Sequence, residues 1–327
     1  MELRVISGSE LQQLLPYPDC VEAVEAAMRA VSAGSVLMPL RQIMRLPGGK
    51  GALGMMPGYL GEPECFGIKL LSLFPGNPAV GLSSHLGLYM LCEGQNGRPL
   101  ALMDASRLTA IRTAAASVVA TRALARADSK VLAVIGTGEE AVSHVEAFQA
   151  VRPFERLLIW GRNPAAAQGL AERARRLGMS DVGAVPSVRD ALAEADVVCT
   201  VTASPDPLLF GADVRPGTHL CLVGASIPSC REVDDDCVAM SRFFVDFRAS
   251  AMAQAGELLH AIGEGVVTEA HILAEIGEVL SGAVAGRRSD SEVTVYKSLG
   301  VAAQDLAAAS LVYRRAVELG VGTLAPI

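Results

Sequence analysis

The segment Gly136-Thr137-Gly138-Glu139-Glu140-Ala141 carries the most legible chemistry in this chain. It follows the apolar run Val131 to Ile135 and opens a stretch of helical periodicity from Glu139 to Val151, the context in which a G-x-G-x-x-A pattern binds a dinucleotide. Gly136 allows a tight turn, Gly138 lets the backbone approach a pyrophosphate, and Ala141 keeps the helix close to the sheet. The helix N-terminus, from Thr137 and Glu139 onward, offers free N–H groups to the phosphates. The alternative is a glycine-rich turn that binds nothing, and the flanking strand and helix weigh against it. The next strand ends at Ile159-Trp160 and continues Gly161-Arg162-Asn163. No carboxylate stands there for a ribose 2′-hydroxyl, whereas Arg162 presents a planar fork to a 2′-phosphate. The expectation is NADP(H) in preference to NAD(H), against the alternative that Arg162 is a solvated loop arginine.

Three cations lie among apolar segments: Lys69 in Phe66-Gly67-Ile68-Lys69-Leu70-Leu71, Arg41 in Pro39-Leu40-Arg41-Gln42, and Arg112 in Thr109-Ala110-Ile111-Arg112-Thr113. Two readings are open for each. A lysine on such a strand is ordinarily an edge or snorkelling residue. Turned inward, the same ammonium binds an anion or moves a proton, and the three together describe a carboxylate pocket if the fold brings them together. His85 heads a strand, and Ser226 follows the strand end Leu222-Val223-Gly224-Ala225, where ligands of open α/β sheets bind. No G-x-S-x-G elbow surrounds Ser226, and no H-E-x-x-H pattern or other ligand cluster appears, so no metal is expected.

The elements that must hold these residues fall into three zones. From Met1 to about Ser106 a helix with an Asp19/Glu22 capping signature precedes short strands at 40–46, 53–56, 66–74, 86–91 and 100–104, separated by Gly/Pro turns. An Ala-rich helix over 109–127 bridges to the middle zone. There, strands at 131–135, 156–160, 196–202, 220–224 and 243–246 alternate with helices such as 139–151 and 164–177, which predicts a parallel, doubly wound sheet. A strand at 293–296 and an Ala-rich helix over 301–319 close the chain, the helix packing back on the first zone and making one domain discontinuous.

A length of 327 residues allows about two domains, and 51% hydrophobic residues are ample for a core. No apolar run reaches the ~18 residues of a spanning helix, and Met1-Glu2-Leu3-Arg4 does not begin a secretory signal. With net charge −7 and no basic stripe, neither a membrane nor a nucleic acid is an expected partner. The 7 cysteines are scattered, odd in number and in no C-x-x-C pair, as in a reducing cytoplasm.

Met38-Pro39-Leu40-Arg41, Leu53 to Pro57, Gly67-Ile68-Lys69 with Pro75-Gly76-Asn77, Met103 through Ala115, and Tyr296-Lys297-Ser298-Leu299-Gly300 resemble, in order and spacing, the ornithine cyclodeaminase/mu-crystallin family. The resemblance covers nearly the whole chain. It implies an α/β fold in which a Rossmann doubly wound parallel sheet (114–304) is inserted into an α+β substrate-binding and dimerisation domain (1–113 plus 305–327), and a homodimer. It also implies that Arg41, Lys69 and Arg112, with Met56, hold a substrate carboxylate near the nicotinamide. Thr113, Thr202 and Ser298 join the cofactor site, and Lys69, His85 and Ser226 are the candidates for the chemistry. Cyclodeaminases of the family resemble one another in an aspartate where this chain has Ser226, so the loss of that base favours the ketimine-reductase branch. The implied activity is NAD(P)H-dependent reduction of a 2-imino carboxylate, cyclic by expectation, such as Δ1-pyrroline-2-carboxylate or Δ1-piperideine-2-carboxylate, to the L-amino acid. An ornithine cyclodeaminase, an alanine-type dehydrogenase and a non-catalytic, cofactor-loaded binding protein are the alternatives.

Overall fold

Two sheets organise the chain, which the computed structural model describes over residues 2–83 and 85–327. They belong to two units, one formed by Met1–Arg112 with Val301–Ile327 and the other by Thr113–Gly300.

The first unit begins with β1 (Glu2–Ile6), α1 (Gly8–Leu14), α2 (Tyr17–Ser32), β2 (Val36–Leu37), β3 (Gln42–Arg45), β4 (Ala52–Gly61), β5 (Glu64–Leu73), β6 (His85–Glu93) and β7 (Pro99–Asp104), and enters α3 (Ala105–Leu124). β4, β5, β6 and β7 pair antiparallel in sequence order, with Met56 opposite Lys69 and Lys69 opposite Tyr89. Side chains of a strand alternate between faces, so Met56, Lys69 and Tyr89 share one face. All three are buried. On the other face Met55, Leu70 and Leu88 stand opposite one another; Leu70 and Leu88 are exposed and Met55 half-buried.

In the second unit β8 (Val131–Ile135), α4 (Glu139–Val151), β9 (Arg156–Trp160), α5 (Pro164–Arg176), β10 (Asp181–Ala184), α6 (Val188–Leu192), β11 (Val197–Thr200) and β12 (His219–Leu222) alternate, followed by α7 (Asp235–Ala239), β13 (Ser241–Val245), α8 (Arg248–Gln254), α9 (Gly256–Gly263), β14 (Ile272–Glu275), α10 (Ile276–Leu280) and β15 (Val293–Lys297). All eight strands are parallel, in the order β10-β9-β8-β11-β12-β15-β13-β14. Continuous runs such as Leu132 to Ile135 and Leu157 to Ile159 are buried because a parallel sheet is covered on both faces. The strand order reverses between β8 and β11, the place where doubly wound sheets bind ligands. α11 (Ala302–Leu319) and β16 (Thr323–Pro326) complete the first unit, where α11 packs on α2 and on β4 to β7 and β16 pairs antiparallel with β1.

The expected α/β architecture with its parallel doubly wound sheet is present. Local boundaries differ in instructive places. α2 does not start at Asp19: Pro16 is its N-cap and Pro18 occupies its first turn, so Asp19 lies inside the helix. A reciprocal capping box stands instead at Ser7/Glu10, at the head of α1. The bridging helix begins at Ala105, four residues before the expected start. Among the described residues no helix is long and apolar enough to cross a membrane.

Candidate functional site

In the first unit Lys69 and Arg112 converge on one carboxylate. Lys69 Nζ lies 3.1 Å from Oδ1 and 2.8 Å from Oδ2 of Asp305, and Arg112 Nε donates to Oδ1 at 2.9 Å. Arg112 Nη1 donates to Gln304 Oε1 at 2.9 Å, and Lys69 donates to Thr109 Oγ1 at 3.3 Å. Lys69 comes from β5, Thr109 and Arg112 from successive turns of α3, and Gln304 and Asp305 from the first turn of α11. Exposures of 1% for Lys69, 4% for Arg112 and 0% for Asp305 make this a desolvated ion cluster. Burial, then the Arg112 charge, pulls Lys69 down to about 7 against the opposing pull of Asp305, and the charge of Arg41 lowers it further. Asp305 is held below the usual carboxylate range although burial pushes it up, because Lys69 and Arg112 outweigh that penalty. The ammonium of Lys69 is thus close to balanced with its free amine at neutral pH, the condition for a proton donor. Arg41 precedes β3 and is half-buried, and Met56 is buried beside Lys69 across the strand pair. His85 opens β6, four residues before the Lys69 partner Tyr89, but its side chain lies outside the described residues.

In the second unit a cleft of about 330 Å³ opens past the carboxyl ends of β8, β9 and β11. It is lined from three strand ends, by Gly136 to Gly138, by Trp160 to Asn163, and by Val201 to Ser204, with Leu208. Gly136 has φ +134, and a Cβ on it would lie 2.7 Å from the Val201 carbonyl oxygen, so only glycine fits where these strand ends meet. Gly138 is the N-cap of α4 without a side-chain cap bond, which leaves first-turn amides for an anion. Among the described residues nothing stands within 4 Å of where a Cβ on Gly138 would be. An uncapped helix end, open space and three strand ends at a topological switch fit a dinucleotide. Arg162 lines this cleft and is exposed; no carboxylate is among the lining residues.

Of the expected cofactor residues, Gly136, Thr137, Gly138, Arg162 and Thr202 come together here. Glu139 sits one position into α4 and Ala141 is buried in it, where a small side chain suits helix–sheet packing, but neither lines the cleft. Thr113 is buried on α3, and Ser298 is buried after β15, its amide donating to the Leu222 carbonyl at 2.9 Å and its hydroxyl without a partner among the described residues. Ser226 is half-buried in the loop after β12. Asp305, Gln304 and Thr109 were not expected. The available signal was a lone Gln-Asp pair in an otherwise apolar helical stripe, which a buried Lys69 would need as a counter-ion. Trp160 and Ser204 were also missed, although each lies at a strand end beside an expected residue.

Comparison with known proteins places these geometries in a family. The model of the ornithine cyclodeaminase/mu-crystallin family matches residues 2–320. The chain is 37% identical to the ketimine reductase mu-crystallin of Mus musculus over 94% of its own length and 96% of that protein. Its fold is similar to that of Thermococcus litoralis Δ1-pyrroline-2-carboxylate reductase, solved in complex with NADH and L-proline, with a TM-score of 0.94 and 36% identity over 98% of this chain and 99% of that one. It is likewise similar to an archaeal alanine dehydrogenase dimer with bound NAD, with a TM-score of 0.94 and 32% identity over the whole of both chains.

Proposed function

The chain belongs to the ornithine cyclodeaminase/mu-crystallin family, and from that premise we propose that it is an NAD(P)H-dependent imine reductase that converts a cyclic 2-imino carboxylate, Δ1-pyrroline-2-carboxylate or Δ1-piperideine-2-carboxylate, to the L-amino acid. The observation that carries this reading is the buried Lys69–Asp305–Arg112 cluster, in which a single carboxylate faces two cations, with a third charge from Arg41. The surplus positive charge and the planar Arg112 fork suit one substrate carboxylate. Lys69, near neutrality, protonates the imine nitrogen and makes the adjacent carbon electrophilic, with His85 as the alternative relay. Ser226 orients that nitrogen, a role a hydroxyl can fill without the base that deamination of an ammonium needs. Gly136 to Gly138, Thr202 and Arg162 hold the cofactor. When bound, the reduced nicotinamide supplies the hydride that, with one proton, turns the C=N bond into an amine.

Arg162 at the end of β9 supports NADP(H) over NAD(H), as does the absence of a carboxylate among the residues lining the cleft. A homodimer is supported by the apolar outer face of the first unit's sheet, where Leu70, Leu86 and Leu88 are exposed beside half-buried Ile68 and Met90. Light scattering is expected to give twice the chain mass, and Leu88→Glu to reduce it to one chain. Scattered cysteines support a cytoplasmic location.

The test is loss of nicotinamide absorbance with the purified protein, NADPH and NADH each offered with the two cyclic imines. Rapid oxidation of NADPH is the expected result. Preference for NADH would remove the Arg162 argument, and no oxidation of either by protein that binds cofactor would overturn the reductase reading. The likeness to alanine dehydrogenase favours amino-acid oxidation as the second reading, which ammonia release from an acyclic amino acid distinguishes.

A further inference from the structure

The second unit contains another buried ion cluster, which the reaction scheme above leaves unused. Glu232, at 0% exposure, accepts five hydrogen bonds. Its Oε1 receives the Thr202 amide at 2.8 Å and the Thr202 hydroxyl at 2.7 Å. Its Oε2 receives the Thr200 hydroxyl and the Gly224 amide, both at 2.8 Å, and the Ala225 amide at 3.3 Å. Lys297, wholly buried at the end of β15, donates to the Ala225 carbonyl at 2.5 Å and lies 3.1 and 3.0 Å from the two oxygens of buried Glu257. Glu257 in turn accepts the Glu232 amide at 3.3 Å. Both the N–H and the C=O of Ala225 are therefore held by buried charged side chains, and the next residue is Ser226.

This arrangement begins where the sheet stops. The β11–β12 ladder runs to Thr200 opposite Leu222, and the Val223 and Gly224 amides still reach the Thr200 carbonyl. Beyond that point the β11 segment goes on to line the cleft through Val201 to Ser204, and the β12 segment goes on to Ser226. Glu232 spans the two where no ladder does. The approach is close enough that a Cβ on Gly224 would lie 2.0 Å from the Thr202 carbonyl oxygen and 2.5 Å from Glu232 Oε1.

We propose that Glu232 is a positioning residue for the reaction: by joining Thr202 to the Gly224–Ala225 turn, it fixes the loop that lines the cofactor cleft and the loop that carries Ser226 at one spacing. The Ser226 half of this rests on the imine-reductase reading, whereas the cleft half does not. An amide in place of the carboxylate cannot accept at both ends, since one terminus would turn N–H groups toward the N–H groups of Thr202 or of Gly224 and Ala225.

The test compares wild type, Glu232→Gln and Glu232→Asp at a temperature where each retains its native circular dichroism. Trp160 is the 1 tryptophan of the chain and lines the cleft, so energy transfer from it to bound NADPH reads the cofactor Kd directly. In Glu232→Gln the NADPH Kd is expected to rise about tenfold and kcat to fall about 100-fold, with the KM for the imine within about threefold of wild type, as misplacement rather than lost substrate binding requires. Glu232→Asp, which keeps the charge, recovers part of kcat. A folded Glu232→Gln with unchanged Kd and kcat overturns the proposal. Should Glu232→Gln not fold, Thr200→Val removes one of the five donors: a Kd raised about threefold with a lower kcat supports the proposal, and no change in either sinks it. If wild type binds NADPH and reduces no imine, the reductase reading fails while the Kd comparison still decides the cleft half.

Discussion

Each unit buries a charged cluster, and the two differ in what is left over. Around Asp305 one carboxylate meets two cations, and the further acceptors that meet them, Thr109 Oγ1 and Gln304 Oε1, are neutral. Around Glu232 and Glu257 two carboxylates meet one ammonium, and the excess negative charge is absorbed by three backbone amides and two threonine hydroxyls on Glu232. Burying an ion costs several kcal/mol unless its partners are complete. The chain itself surrounds Glu232 with five donors, whereas around Asp305 it leaves a surplus of positive charge, which on the imine-reductase reading a substrate carboxylate balances. Their proton affinities follow the same division. Burial, reinforced by Arg112, brings Lys69 down to about 7, while burial raises Glu232 against the pull of Lys297 and Thr202. Surplus charge without internal donors or acceptors, rather than buried charge as such, marks the place for a ligand.

The largest break in that comparison is Arg112→Met, which removes the planar fork and one surplus cation. kcat/KM for the imine is expected to fall by about 10³, mostly through KM, because charge-assisted hydrogen bonds to a carboxylate are worth ~1.5–3 kcal/mol each. The Arg112 charge lowers Lys69, so its loss raises Lys69 and moves the alkaline limb of the pH–rate profile upward. Asp305→Asn acts in the opposite sense. Asp305 raises Lys69, so its loss drops Lys69 below about 7 and the ammonium needed for donation survives only at lower pH. Turnover at pH ~7.5 is expected to fall about tenfold and to recover toward pH ~6. An alkaline limb that stays in place in both variants removes Lys69 as the donor. Stability carries a matching signature. The unfolded chain holds the Lys69 proton up to its usual 10.5 and the folded chain only to about 7, so between those values the unfolded state binds more protons and this group's contribution to stability rises with pH.

The same division explains what could be read from the sequence. β8, α4 and β9 match their expected bounds to the residue, because a continuous apolar run, a Gly-x-Gly turn and a change of period are all local signals. The start of α2 was misplaced because Asp19 and Glu22 imitate a capping box, while Pro16 and Pro18 set the true start. β1 and β16 escaped because each exists through the other, Glu2 pairing with Pro326 across the length of the chain. The buried counter-ions escaped for a related reason. Lys69 and Asp305 meet across 236 positions, and Asp305 lies in an Ala-rich helix whose periodicity reads as packing. Glu232 lies in a segment whose interest was Ser226, and its five donors come from positions spaced by no motif. Local motifs expose a cofactor cleft, whereas the completeness of a buried charge cluster is a property of the tertiary structure.

The smallest effect sharpens the comparison most, because it sets one hydroxyl contact against another. Thr109 accepts from Lys69 at 3.3 Å, and Thr200 donates to Glu232 at 2.8 Å. Thr109→Val withdraws an acceptor from the Lys69 ammonium, which lowers Lys69 slightly. kcat/KM at neutral pH is expected to fall about twofold with the alkaline limb displaced to lower pH by a few tenths, and the NADPH Kd to stay unchanged, the scale of one weak hydrogen bond. Thr200→Val is expected to do the reverse, raising the NADPH Kd and leaving the alkaline limb in place. A pH shift from Thr200→Val, or a cofactor defect from Thr109→Val, would mean that the two clusters are energetically coupled rather than assigned one to the substrate and one to the cofactor.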